Sequence, residues 1–127
     1  MDTTTNHLTL TLPAATLHVT YDLRRGIEEV FASWERRFER SRTHYAAPAF
    51  DLTRDQYLLQ LVDHTGDKYH STTLAHLEIR DGKIRILTDN TEEGIGNELV
   101  AVGIPKSRIV LAFYPPDIRE MGDFAVS

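Results

Sequence analysis

The sequence predicts an α+β domain, and three stretches carry the prediction. Leu23, Ile27, Val30, Phe31, Trp34 and Phe38 recur at steps of 4, 3, 1, 3 and 4. That spacing is one apolar stripe on a helix of about five turns. Asp81-Gly82 stands between two runs of alternating apolar residues, the pattern of a tight hairpin. Residues 89–116, DNTEEGIGNELVAVGIPKSRIVLAFYPP, read as a capped helix, a glycine–proline break and a strand apolar on both faces.

In chain order, residues 7–21 come first. Leu8, Leu10 and Leu12 alternate with polar residues, as do Leu17, Val19 and Tyr21, on either side of Pro13-Ala14-Ala15. Two period-2 runs around such a break predict a hairpin with one apolar face over 1–21. A lone hairpin is marginal in water, so it must pack on the domain or on a partner, and self-association through it is one outcome. Asp22 is placed to N-cap the helix over 22–40. Gly26 weakens that helix by up to ~1 kcal/mol. Arg36, Arg37, Arg40 and Arg42 form the one basic concentration of the chain. They read either as favourable charge at a helix C-terminus or as a nucleic-acid contact.

Residues 41–54 are irregular apart from an edge strand around 47–52. QYLLQLV (56–62) is apolar on both faces apart from Gln60, as an interior strand is. Thr65-Gly66-Asp67 marks a turn. The Asp81-Gly82 turn fixes a register in which Arg80 faces Lys83, Ile79 faces Ile84, Glu78 faces Arg85 and Leu77 faces Ile86. His76, Glu78 and Arg85 then share the charged face. Asp89 with Glu92 has capping-box spacing. Ile95, Leu99 and Val102 form a buried stripe, Gly96 permits close approach, and Gly103 and Pro105 end the helix. Residues 108–114 read as another interior strand, closed by Pro115-Pro116. Phe124 and Val126 are expected to dock the tail.

The chain has 127 residues, of which 41% are hydrophobic. That length fits one domain, 1–127, able to bury roughly two-thirds of its unfolded surface. There is no cysteine, which excludes disulfides, thiolate-bound metals and a thiol nucleophile and suits the cytoplasm. No apolar run approaches the roughly 20 residues of a membrane span. A net charge of −5 opposes broad nucleic-acid binding, which needs a basic field.

No residue pattern demands catalysis. The six histidines lack HExxH or HxH spacing. His64 and His70 straddle a turn and could face each other, but turn-flanking surface histidines are the plainer reading. Asp89, Glu92 and Glu93 have capping or helix-dipole roles. GIGNE (94–98) lacks the lysine of a phosphate loop, and no serine sits in a nucleophile elbow. A minor hydrolase built on these groups is the weakest reading. No cofactor or metal is expected.

Three stretches, FDLTRDQYLLQLV (50–62), HLEIRDGKIRILTDNTEEGIGNELVAVGIPKSRIVLAFYPPDIR (76–119) and FAV (124–126), resemble the XisI family in order and spacing. These are excision-controlling factors associated with the fdxN DNA element of heterocyst-forming cyanobacteria, with bacterial relatives elsewhere. The resemblance makes 50–126 the family core and the 1–21 hairpin an addition. Asp63-His64 stands where the family tends to carry Gly-Trp. The resemblance implies an α+β fold with an antiparallel sheet. It also implies a non-enzymatic accessory role beside a XisH-like, nuclease-related partner in support of a site-specific recombinase. An antitoxin- or immunity-like inhibitor of a nuclease is the alternative. Arg54 and Arg119 match family positions. With Asp89 and Glu92 they are candidates either for partner binding or for a structural ion pair.

Overall fold

The structure, a computed structural model, describes residues 14–127. Helix α1 spans Ala14–Arg37 and lays Leu23, Ile27, Val30 and Phe31 into the core, with Val19, Trp34 and Phe38 packed at its margins. The predicted stripe is therefore correct, but the helix starts eight residues earlier than Asp22. The second arm of the expected hairpin (Leu17, Val19, Tyr21) is helical, and the first arm lies outside the described residues. Val19 falls four residues before Leu23 and so extends the helical stripe. Two alanines at the helix start favour this conformation as well. Over five residues, a period of two and a helical face cannot be told apart. Asp22 is not a cap. It lies inside α1, 3.3 Å from the His18 imidazole one turn back.

Gly26 is buried where α1 crosses the chain after the second helix. A Cβ there would lie 2.7 Å from Ile104 Cδ1 and 2.8 Å from Cγ1. Its low helix propensity thus accompanies a close approach. Gly26→Leu is expected to cost about 3 kcal/mol through overpacking, whereas Gly26→Ala is nearly neutral because its helix gain offsets a small shift of Ile104. Urea denaturation of both variants checks this, and a Leu variant within about 1 kcal/mol of the parent would contradict it.

The sheet contains β1 (His44–Asp51), β2 (Gln56–Thr65), β3 (Lys68–Arg80), β4 (Lys83–Asp89) and β5 (Ile109–Val110), in that spatial order. The first four strands form an antiparallel meander, and β5 joins β4 in parallel, so the sheet is mixed rather than wholly antiparallel. The predicted β3–β4 register is observed at all four pairs. Asp81 (φ 55°) and Gly82 (φ 74°) both have positive φ, as a type I′ turn requires. Strand β1 is an edge strand. Thr43 O accepts from His64 N, so alternation points Pro48 outward, the position where a missing N–H breaks no ladder bond.

Tyr57, Leu59, Leu77, Ile79, Ile84 and Ile86 point from the sheet into the core beneath α1 and helix α2 (Ile95–Ala101). Gln56, His76, Glu78 and Arg85 share the opposite face. His76 Nε2 lies 2.7 Å from Gln56 Oε1, and Arg85 Nε lies 3.3 Å from Glu78 Oε2. This is the surface network expected of that face.

Residues 108–114 do not form an interior strand. Of these, only Ile109 and Val110 form ladder pairs, at the sheet margin, and Phe113 N adds a single bond to Ile86 O. The chain then turns through bonds from Ala112 N to Val110 O and from Tyr114 N to Leu111 O. The tail covers the second face of Ile109, Val110 and Leu111, whereas Phe113 and Tyr114 stay exposed. Val110 bridges Ala125, Ala125 N donates to Ile109 O, and Phe124 packs on the core. Phe124 docks as expected, but Val126 is exposed. Pro116 opens a short helix α3 (Pro116–Arg119).

A polar latch ties α1 to the β1–β2 turn. Asp55 Oδ1 accepts from Arg24 Nη2 at 2.7 Å, Arg24 Nε at 3.0 Å and Tyr57 OH at 2.8 Å, and Arg24 Nη2 also reaches Leu52 O. Asp55 holds a left-handed backbone (φ 52°), uncommon for a side-chain-bearing residue but tolerated best by Asp and Asn. Burial raises the Tyr57 phenol pKa, and the bond to Asp55 adds to the effect.

Candidate functional site

The stretch after β4 makes the most distinctive surface. Asp89 does not cap a helix at 90. Its Oδ1 accepts from Thr91 N (3.0 Å) and Thr91 Oγ1, and its Oδ2 accepts from Ile95 N at 2.8 Å. Residues 90–94 thus form a loop folded over one carboxylate, which caps α2 six residues away. Asn90 fastens this loop to β3 through Leu74 O and Thr73 O. Gly94 (φ 92°) takes a conformation open to glycine. At the other end of α2, Ile104 N donates to Leu99 O and Gly103 N to Val100 O, with Gly103 at φ 107°, a Schellman arrangement at the glycine expected to end this helix.

The loop walls a groove of about 310 Å³. Glu92 and Glu93 line it together with Phe113 and Tyr114, whose ring centroids are 4.5 Å apart. Gly96 and Phe124 lie in the groove wall. A Cβ on Gly96 would come within 3.3 Å of the Phe124 ring, so this glycine lets the tail close against α2.

Behind the loop, Glu98 is 14% exposed. Its Oε1 accepts from Trp34 Nε1 (3.0 Å) and Arg37 Nη2 (3.1 Å), while Oε2 is buried with no partner. The Arg37 guanidinium lies 3.9 Å above the Trp34 ring. One member of the arginine cluster is therefore fixed in the domain. Burial pushes the Glu98 pKa up, against the Arg37 charge and the Trp34 bond, which favour the carboxylate. An acid with a raised folded pKa adds most stability below its unfolded value, near 4.5, and loses it as pH rises through the folded value. The parent chain is thus expected to gain stability relative to Glu98→Gln as pH falls from neutrality toward 4.5. Urea midpoints across that range check the sign, and a constant gap would contradict it.

The four sequence-predicted site residues do not converge. Arg54 pairs with Asp51 (2.8 Å) in the β1–β2 turn, and the pairing lowers the Asp51 pKa. Arg119 donates to Tyr114 O (2.8 Å) and Val126 O (2.9 Å), stapling the tail. Neither arginine reaches Asp89 or Glu92, so the expected ion pair with these acids is absent among the described residues. Asp89 organises the loop, and Glu92 is exposed on the groove rim. Sequence reasoning missed Phe113 and Tyr114, which it assigned to a buried strand. It also missed Arg24, Asp55 and Glu98, whose roles depend on contacts more than 30 residues apart.

His64 stacks on Tyr69 at 5.0 Å, and His70 lies opposite Asp63, so the two histidines do not face each other. Among the described residues, no group of three or more His, Asp or Glu is placed to hold a metal. No helix among them is long and apolar enough to cross a membrane.

The family model for the XisI protein matches residues 19–126. The chain belongs to the XisI family. The match takes in α1 as well as the sheet, and so reaches further toward the N-terminus than the motifs from Phe50 onward. Two solved structures from Anabaena variabilis ATCC 29413 share the fold. A XisI-like protein superposes with TM-score 0.71 at 22% identity, covering 86% of this chain and 99% of its own. The fdxN element excision controlling factor XisI superposes with TM-score 0.65 at 28% identity, covering 86% and 98%. No curated protein matches.

Proposed function

We propose that this XisI-family chain is a non-enzymatic controlling factor for site-specific DNA excision or rearrangement. It acts by binding a XisH-like, nuclease-related protein and, through it, a recombinase. The family match over residues 19–126 carries the reading, supported by likeness to a structure described as an excision controlling factor. The net charge of −5 agrees with an action on proteins rather than on phosphate backbones.

Co-expression with a XisH-like protein, followed by size-exclusion chromatography, tests the proposal. A co-eluting complex is expected. Separate elution at micromolar concentration would count against it. The same strains separate the antitoxin-like alternative, under which the partner alone is toxic and this chain relieves the toxicity.

A further inference from the structure

Nine large apolar side chains are exposed among the described residues, and five of them (Phe113, Tyr114, Ile118, Met121 and Val126) lie between residues 113 and 126. Phe113 is 40% and Tyr114 43% exposed. Tyr114 joins the groove beside Glu92 and Glu93 to a smaller apolar recess of about 80 Å³ that includes Ile118. A contiguous exposed apolar patch with a polar rim marks an interaction surface. Aromatic side chains are also enriched at the centres of such surfaces.

The rim is predominantly acidic, with Arg37 beside Glu92 and Glu93 and Lys106 paired to Asp123 as its cations. Residues 89–98 and 111–126 hold seven acids (Asp89, Glu92, Glu93, Glu98, Asp117, Glu120, Asp123) and one base, Arg119, although Glu98 is paired with Arg37 behind the loop and Asp123 with Lys106. The Arg119 guanidinium is bonded to two backbone carbonyls. Glu92 and Glu93 have no ion-pair partner among the described residues. Aromatic rings flanked by unpaired carboxylates complement an apolar side chain flanked by Lys or Arg.

We propose that the Phe113–Tyr114 patch docks a basic segment of a protein partner, with an apolar side chain against the two rings and cations at Glu92 and Glu93. The proposal rests on the reading of this chain as a partner-binding factor. Phosphate backbones are disfavoured by the net acidic charge of these segments. A second copy of a chain with net charge −5 is repelled overall. Its one basic turn, at Arg36, Arg40 and Arg42, would meet the patch in a head-to-tail contact that does not close by two-fold symmetry.

The full chain, panned against a display library of random short peptides, tests the proposal. Enriched peptides are expected to carry Lys or Arg around an apolar residue and to bind less tightly as salt rises. Binding should weaken at least about tenfold in Glu92→Lys/Glu93→Lys and in Phe113→Ser, and stay unchanged in Tyr69→Ser at the distant β2–β3 turn. Thermal melts confirm that each variant is folded. No enrichment, enrichment of peptides without basic residues, or binding indifferent to these substitutions overturns the proposal.

The co-elution experiment, repeated with Glu92→Lys/Glu93→Lys, separates the two readings. A complex that survives the substitutions overturns this surface and leaves the proposed function standing. Peptide binding without any XisH-like complex upholds the surface and removes the partner assignment. Self-association of the chain alone that needs both Glu92/Glu93 and Arg36/Arg40/Arg42 would assign the patch to a second copy and overturn the proposal.

Discussion

Asp89→Ala is expected to destabilise the domain by about 3 kcal/mol and to loosen the groove loop. Asp89 satisfies three donors at once: Thr91 N, Thr91 Oγ1 and Ile95 N. Loss of a capping side chain alone costs about 1 kcal/mol. Leaving partly buried backbone donors without an acceptor costs about 1–3 kcal/mol more. Asp89→Asn keeps an acceptor for Thr91 but turns an amide toward Ile95 N, so about half the loss is expected. Thermal denaturation measures the stability. Amide exchange over residues 90–98 measures the loop and should accelerate in the alanine variant. A loss under about 1 kcal/mol with unchanged exchange would contradict the capping role.

The second large effect is at the α1 latch. Asp55→Ala removes the acceptor of three hydrogen bonds and leaves Arg24 half-buried without its carboxylate. Breaking a fully buried pair costs roughly 3–5 kcal/mol. Solvent reaches this one, so about 2 kcal/mol is the discounted expectation for the bonds. The left-handed backbone at Asp55 (φ 52°) adds about 1 kcal/mol for alanine, which glycine does not incur. Asp55→Gly is therefore expected to be less damaging than Asp55→Ala, an inversion of the usual order, and chemical denaturation of the two decides it. Equal losses would remove the backbone part of the account.

The same latch sets an alkaline limit. A phenol whose folded pKa is raised contributes stability that is complete below the ordinary value of 10.0 and is lost as pH climbs toward the folded value. The parent should lose stability above that pH faster than Tyr57→Phe does. Parallel slopes would contradict the assignment.

How far the fold was legible depended on whether its determinants are local. The β3–β4 hairpin is the clearest case, since Asp81-Gly82 fixes a register that the Ile79–Ile84 and Leu77–Ile86 pairs reinforce. The α1 stripe and the Gly103 stop were readable for the same reason. The start of α1 was not, because Leu17, Val19 and Tyr21 satisfy a strand alternation over too few residues to exclude a helix.

Residues 108–114 misled for a different reason. Two-sided apolarity reports burial on both faces, and here the second cover is the chain's own tail at Phe124 and Ala125, which no local pattern announces. The candidate site was half legible. Asp89 and Glu92 were singled out as capping acids, and both belong to the groove. Phe113 and Tyr114 were hidden in the supposed strand. Arg54 and Arg119 look like functional cations in sequence, but each is held within about seven residues of itself. The family itself was legible from ordered motifs, because their spacing survives where single contacts do not.

Control of excision without catalysis is the role proposed for this XisI-family chain. The most direct measurement is the excision frequency of a reporter element in cells that supply the recombinase and a XisH-like protein, with and without this chain. Excision is expected to depend on the chain, and Glu92→Lys/Glu93→Lys is expected to lower it while the protein remains folded. Excision that proceeds equally well without the chain would contradict that role.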